Sequence, residues 1–171
     1  YSAAPVAEGI RLVLEHKDIK GLNLNVIAIV EVFDSSPQTH WRIDVENGES
    51  LILTEIYYPF LFGAGQLGQS ADDDFIVYPV ADGILIPSPA KNMNDTTPLY
   101  NLYPGDLSSQ FMAYYDSSAG LYIACDDTAG NVKRFSVLWL SNPLLFIIHY
   151  PCEFPGNDFN MSYDVVTTTF Q

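Results

Sequence analysis

Basic residues are scarce in this chain. It has seven Lys and Arg against 21 Asp and Glu, which gives a formal net charge of −14 at pH 7. A surface of that sign repels nucleic-acid phosphates and anionic lipid headgroups. We therefore expect neither nucleic acid nor a membrane surface as a partner. The acidity does not choose among other partners, because it serves solubility as readily as cation binding or contact with neutral sugars.

Cysteines and long apolar stretches are also few. No apolar run reaches the ~20 residues that a bilayer-spanning helix needs. The two cysteines, Cys125 and Cys152, fit neither a zinc spacing nor a disulfide framework, which leaves open two separate inert thiols or one disulfide. The chain begins at Tyr1 rather than at Met and shows no secretory leader, so we expect it to be trimmed or processed.

The usual signatures of catalysis are missing from the sequence. His16, His40 and His149 lie far apart, and no G-x-S-x-G nucleophile motif accompanies them. Glycosidases use two carboxylates at a fixed separation, and among 21 acidic residues no pair can be singled out from sequence. We therefore predict no catalytic residue in this chain.

Two stretches resemble a cofactor or a metal motif, but each lacks a feature that the motif requires. Gly63, Gly65 and Gly68 fit the pattern G-x-G-x-x-G, but acidic residues follow where a dinucleotide site needs a helix N-terminus. A flexible turn is the better interpretation. Residues 72–74 are three consecutive aspartates, which favour a solvated acidic turn over calcium because the alternating ligand spacing is missing. Asp127 and its neighbour Asp126 fit turn hydrogen bonding. We predict no metal and no cofactor.

Short runs of apolar and β-branched residues are abundant. The content of 48% hydrophobic and 13% aromatic residues suffices for the core of one domain. No stretch of a dozen residues keeps a helical apolar period. The sequence predicts a single all-β domain over residues 1–171, a two-sheet antiparallel β-sandwich with little helix. The strand-length runs, which turn residues separate, are Ile10–Glu15, Val26–Phe33, Trp41–Val45, Leu51–Tyr58, Phe75–Tyr78, Ile84–Ile86, Gln110–Asp116, Leu121–Asp126, Val132–Leu140, Leu145–Tyr150 and Ser162–Phe170.

Three stretches of this pattern carry further expectations. The runs Gln110–Asp116 and Leu121–Asp126 are apolar on both faces, which predicts central strands covered on both sides. Residues 63–90 are rich in Gly, Pro and Asp and read as a long excursion of the kind that lines surfaces or partner interfaces. The last strand ends one residue before the chain does, as we expect of a domain excised from a longer protein.

Aromatic residues are the candidates for ligand contact. The chain has 11 Tyr, 10 Phe and two Trp. Exposed rings stack on the apolar faces of sugars while nearby Asp and Asn bond the hydroxyls, although most rings in a sandwich serve the core. Trp41 and Tyr103 sit beside polar or turn residues, so we predict them as carbohydrate-binding residues. Glycosylation acceptor patterns begin at Asn94 and Asn160, and such patterns arise often by chance.

Two segments, Leu102–Asp116 and Gly120–Lys133, resemble the N-terminal β-sandwich domains of multidomain bacterial glycoside-hydrolase-like proteins. These are galactose-mutarotase-like supersandwich domains that precede a (β/α)₈ barrel, as in relatives of endo-α-N-acetylgalactosaminidases. The stretches from Asp73 to Pro79, from Gly83 to Pro89 and from Tyr163 to Val166 fit the same pattern. The resemblance covers roughly residues 51–171, and the first 50 residues fit only as generic strands.

The resemblance implies that a catalytic barrel follows residue 171 and bears the acidic catalytic residues. This chain is then expected to be a non-catalytic accessory domain that packs on the barrel, with oligosaccharide as a further partner and an extracellular or cell-envelope location in a bacterium. The His and Glu set of true mutarotases has no match here, and a shared fold does not supply the activity. Two alternatives stay open, a free-standing glycan-binding module and a sandwich with its own hydrolase or mutarotase activity.

Overall fold

A computed structural model describes residues 1–6, 8–62, 66–93, 98–140, 143–151 and 154–170. Four residues discussed above, Gly63, Gly65, Asn94 and Cys152, lie outside these ranges, so the glycine motif, one glycosylation pattern and the disulfide are not assessed. No helix in the described ranges is long and apolar enough to span a bilayer.

Nearly all regular structure is β-strand, which confirms the predicted fold class. The strands in chain order are β1 (Ser2–Val6), β2 (Gly9–His16), β3 (Leu24–Phe33), β4 (Gln38–Asn47), β5 (Ile56–Phe62), β6 (Phe75–Tyr78), β7 (Ile84–Pro87), β8 (Leu99–Tyr103), β9 (Phe111–Tyr115), β10 (Gly120–Cys125), β11 (Lys133–Trp139), β12 (Pro143–His149), β13 (Phe159–Asn160) and β14 (Val165–Phe170). A 3₁₀ turn at Ile19–Gly21 and the single-turn helix α1 (Pro89–Asn92) are the helical elements of the described ranges.

The strands form two antiparallel sheets of unequal width. Among the described residues, the larger sheet has ten strands in the order β1-β2-β3-β4-β14-β10-β9-β6-β7, with β13 beside β4. The smaller sheet has four, in the order β5-β12-β11-β8. A four-stranded sheet cannot cover a ten-stranded one. The inner face of the larger sheet is therefore uncovered at β2. Three residues there are exposed although they lie on the face that β4 turns to the core: Ile10, Leu12 and Leu14.

The core fills the space between the two sheets. Side chains alternate across each strand, so every second residue enters it. Tyr78 of β6 links the sheets because its buried hydroxyl donates to the Phe135 carbonyl at 2.8 Å and accepts from the Asn101 amide at 3.0 Å. Burial raises the pKa of this hydroxyl. The fully buried apolar residues include Ile76, Met112, Ile123, Phe135, Val137, Leu145, Ile147 and Val165.

A buried ion pair lies at one end of the core. Lys133 of β11 is fully buried, and its ammonium donates to the Asp127 carboxylate, to Gln110 Oε1 at 2.8 Å and to the Asn131 carbonyl at 2.7 Å. These acceptors use all three of its donors. Asp127 also accepts from the amide of Asn131 at 2.7 Å, so the predicted turn bonding is observed there. The sequence analysis did not single out Lys133.

Several strands differ from the predicted runs. The run Leu51–Tyr58 forms a strand only from Ile56, because the Leu51 carbonyl bonds the side chain of Asn47 and the amide of Gly156. Strands β1, β8 and β13 were not predicted. Strand β1 lies at the edge of the larger sheet, where proline is tolerated because only one side of the strand must pair.

The acidic triplet is not a wholly solvated turn, as the sequence analysis expected. Asp72 and Asp73 are exposed, but Asp74 is fully buried and accepts a hydrogen bond from the Tyr114 hydroxyl. Burial raises the pKa of the Asp74 carboxyl. The third aspartate is therefore part of the core where β6 begins.

Removal of the Lys133 ammonium should destabilise the fold strongly. The Lys133→Met change leaves Asp127 buried without its charged partner, which costs about 3–5 kcal/mol in proteins. The control is Lys91→Met, because the exposed pair of Lys91 with Asp72 (2.7 Å) contributes less than about 1 kcal/mol. Urea unfolding measures both free energies. Equal losses in the two variants would contradict a stabilising role for the buried pair.

Candidate functional site

The outer face of the smaller sheet is aromatic, whereas the outer face of an antiparallel sheet is commonly polar. Tyr57, Phe60 and Phe62 of β5 are 46%, 51% and 69% exposed. The strand register places Phe146 of β12 and Tyr100 of β8 on the same side. We call these five residues the aromatic face.

Four rings of the aromatic face pack on one another. Phe60 and Phe146 are nearly parallel, at 8° with centroids 4.7 Å apart, and Tyr57 stacks on Phe146 at 5.9 Å and 19°. Tyr100 meets Phe146 edge-on at 6.2 Å. Phe146 is only 3% exposed because these neighbours cover it. Offset and edge-to-face ring pairs hold one another in place, so the face is an ordered platform.

Local sequence explains how this face forms. Every residue of β12 from Pro143 to Ile148 is apolar, so the strand buries side chains on both of its faces. Leu145 and Ile147 enter the main core, while Phe146 and its two outer-face neighbours form a second cluster with Leu138 and Tyr150. The register shift between Phe146 and Ile148 brings Tyr57 and Phe60, three residues apart, to the same side of the sheet.

Two buried polar atoms on this side of the sheet have no hydrogen-bond partner among the described residues. They are Arg134 Nε and Ser136 Oγ, both on β11. Ser136 pairs across the sheet with Tyr100 and Phe146, so its side chain shares their face. Arg134 lies over the Tyr150 ring at 5.7 Å and lines a shallow depression of about 320 Å³ beside the aromatic face. Native proteins pair nearly all such groups, so these two atoms are exceptions within the domain.

The two predicted sugar-binding residues point into the sandwich. Trp41 lies on the inner face of β4, where its Nε1 donates to Thr167 Oγ1 at 2.9 Å and its ring meets Tyr58 edge-on. Tyr103 ends β8 and packs against the main core, with its ring centre 5.3 Å from the Lys133 ammonium. The structure does not bring them onto one open surface. Sugar binding by this pair stays a prediction.

The three histidines are not brought together. His16 is exposed on β2, and His40 of β4 pairs with Asp164 at 3.1 Å. His149 is buried, with Nε2 2.6 Å from the Tyr58 carbonyl and Nδ1 2.7 Å from the Tyr163 hydroxyl. A carbonyl only accepts, so Nε2 donates to it and Nδ1 accepts from the hydroxyl. Burial lowers the pKa of His149 to about 4, which keeps the ring neutral at pH 7.

Metal ligands do not cluster in the described part of the chain, where no group of three His, Cys, Asp or Glu side chains could hold an ion. Cys125 is buried and has no disulfide partner among the described residues; burial raises the pKa of its thiol, so the reactive thiolate is disfavoured. Its environment fits the inert thiol of the sequence analysis.

No protein-family profile and no curated protein sequence matches this chain. Its fold matches solved structures of the α-N-acetylgalactosaminidase NagBb from Bifidobacterium bifidum. The TM-scores are 0.62 for a quadruple mutant at 10% identity, 0.62 for a GalNAc complex at 11%, and 0.59 for the ligand-free protein at 12%. The likeness is one of fold. Each match covers 99% of this chain and 26% of that protein, so the chain spans about a quarter of its length.

The buried His149 should make the folded protein less stable as the pH falls below 6.5. Its folded pKa of about 4 lies below the ordinary 6.5, so the unfolded state takes up the proton first. The stability is complete above pH 6.5 and is lost as the pH falls towards 4. At about 1.4 kcal/mol per unit, the loss approaches roughly 3 kcal/mol.

Urea unfolding between pH 7 and pH 4.5 measures this loss. The His149→Gln variant should flatten the dependence, and the exposed His16→Gln variant should keep it. A parent protein whose stability stays level over this range would show that His149 is not buried neutral.

Proposed function

We propose that this sandwich is a non-catalytic accessory domain of a multidomain glycoside-hydrolase-like protein, and that it docks on the catalytic barrel through the aromatic face. The observation that carries the proposal is the aromatic face itself. Large rings such as Phe60 and Phe62 lie in the open, and Phe60 stacks on Phe146.

Three properties of this surface fit a protein partner. Contiguous exposed apolar patches mark interaction sites. Interface centres are enriched in aromatic residues and Arg, as the aromatic face and Arg134 are. An inter-domain contact of about 600–1,500 Å², at roughly 25 cal/mol per Å², could stabilise the sandwich by several kcal/mol after association costs.

The matched solved structures support a place within a larger protein. The chain corresponds in fold to about a quarter of a protein named as an α-N-acetylgalactosaminidase. We propose that the catalytic residues of the present protein lie outside the sandwich, in a barrel that follows residue 171. The sugar specificity of that protein is not carried over.

Loss of the aromatic face should uncouple the two domains. The experiment expresses the chain alone and joined to the segment that its gene encodes after residue 171. The sandwich is followed across urea by pulse proteolysis. We expect a higher unfolding midpoint in the joined protein, because docking buries the rings.

Matched variants locate the contact. The pair Phe60→Ser and Phe62→Ser should remove most of the gain. The Phe154→Ser change is the control, since Phe154 is 79% exposed and lies outside the strands. Equal midpoints for the chain alone and joined, or a reading frame without a following catalytic domain, would favour the free-standing module instead.

A further inference from the structure

A second surface lies on the opposite side of the sandwich. The outer face of the larger sheet holds an open cavity of about 380 Å³, formed where β4, β14, β10 and β9 lie side by side. The cavity has the size of small-molecule pockets, which begin at roughly 300 Å³. Its lining does not include Trp41 or Tyr103.

The strand register explains the hollow. One row across the sheet runs His40, Val166, Ala124, Phe111. Side chains in such a row share one face, and the small Ala124 leaves a gap between the bulky His40 and Phe111. The sequence analysis expected β9 and β10 to be covered on both sides. The smaller sheet covers only the inner side, and the outer side forms the cavity wall.

One wall of the cavity is aromatic. Phe111 and Tyr122 stack with centroids 5.5 Å apart at 22°, and both rings are partly exposed. The Tyr122 hydroxyl has no hydrogen-bond partner among the described residues. A fixed ring with a free face is the kind of surface on which the C–H face of a sugar packs.

Several polar side chains beside this wall have hydrogen-bonding atoms without a partner among the described residues. The side chains of Gln38 and Asp126 are exposed and make no hydrogen bond within the described ranges. His40 is oriented by its Nδ1 contact with Asp164 at 3.1 Å, which leaves its Nε2 free of any described partner. Gln110 is fixed by the buried Lys133 at 2.8 Å. The cavity thus offers a carboxylate acceptor, an amide and an imidazole.

Charge narrows the class of ligand. Among the described residues no Lys or Arg lines the cavity, and Asp126 lies in its lining. With a net charge of −14 on the chain, phosphorylated or carboxylated ligands are repelled. A wholly apolar ligand would leave Asp126 and Gln38 desolvated without partners. A neutral sugar has both the apolar ring face and the hydroxyl rim that the cavity matches.

We propose that this cavity binds a neutral hexopyranoside, with the sugar ring against Tyr122 and its hydroxyls bonded by Asp126, Gln38 and His40. The inference does not depend on docking through the aromatic face, because the two surfaces lie on opposite sides of the sandwich. Either proposal, sugar binding in the cavity or docking through the aromatic face, can fail without the other.

Saturation-transfer NMR on the 171-residue chain tests the proposal, with a panel of neutral methyl hexopyranosides and their disaccharides and one methyl uronoside. We expect binding of at least one neutral sugar and weaker or no binding of the uronoside. Asp126→Ala should weaken the affinity about tenfold or more, since hydrogen bonds to a charged group contribute about 1.5–3 kcal/mol. Tyr122→Ala should weaken it similarly, and Tyr122→Phe should keep most of it.

Two controls match these changes in chemistry. Tyr57→Ala removes an exposed tyrosine from the aromatic face, and Asp73→Ala removes an exposed aspartate outside the cavity. Both should bind as the parent does. The urea midpoint of each variant checks that it is folded. No binding across the panel, binding unchanged by Asp126→Ala and by Tyr122→Ala, or loss in Tyr57→Ala would overturn the assignment.

Discussion

Burial of the inner faces of β11 and β12 holds the two sheets together. Phe135, Val137, Leu145 and Ile147 are fully buried against the larger sheet, and the Tyr78 hydroxyl bonds across the gap. The remaining architecture depends on this contact. It fixes which side of every strand faces inward, and so it decides which side chains are left on the two outer faces.

The two outer faces differ in chemistry although they belong to one domain. The smaller sheet presents packed and exposed aromatic rings. The larger sheet presents a cavity with an aromatic wall and uncompensated hydrogen-bonding groups such as Asp126. An aromatic surface suits a protein partner, while an open cavity with both aromatic and polar groups suits a small polar ligand. A sandwich between a catalytic domain and a sugar would use both.

Periodicity in the sequence predicted most strands because it reports local backbone geometry. The runs from Phe75 to Tyr78 and from Gln110 to Asp116 lie within one residue of the observed strands. Strand pairing depends on residues far apart in the chain, so the local pattern did not predict it. Tyr57 and Phe60 share a face only because of a register shift against β12. Lys133 and Asp74 are charged residue types whose burial follows from distant partners.

The aromatic candidates show the same limit. Polar neighbours suggested that Trp41 is exposed, but a strand alternates, and its even-numbered neighbours take the outer face instead. His40, one residue earlier, lies in the outer cavity for that reason. A single strand does not reveal which of its two faces will be covered. The continuous apolar run of β12 was the available signal, since it requires cover on both sides.

Amide hydrogen exchange on the chain alone and within the proposed longer protein tests the central claim, that the two outer faces serve different partners. We predict that peptides from β5 and β12 gain protection in the longer protein while those from β9 and β10 do not. Protection that rises in β9 and β10 and not in β5 would contradict it, because the cavity side would then be the covered one.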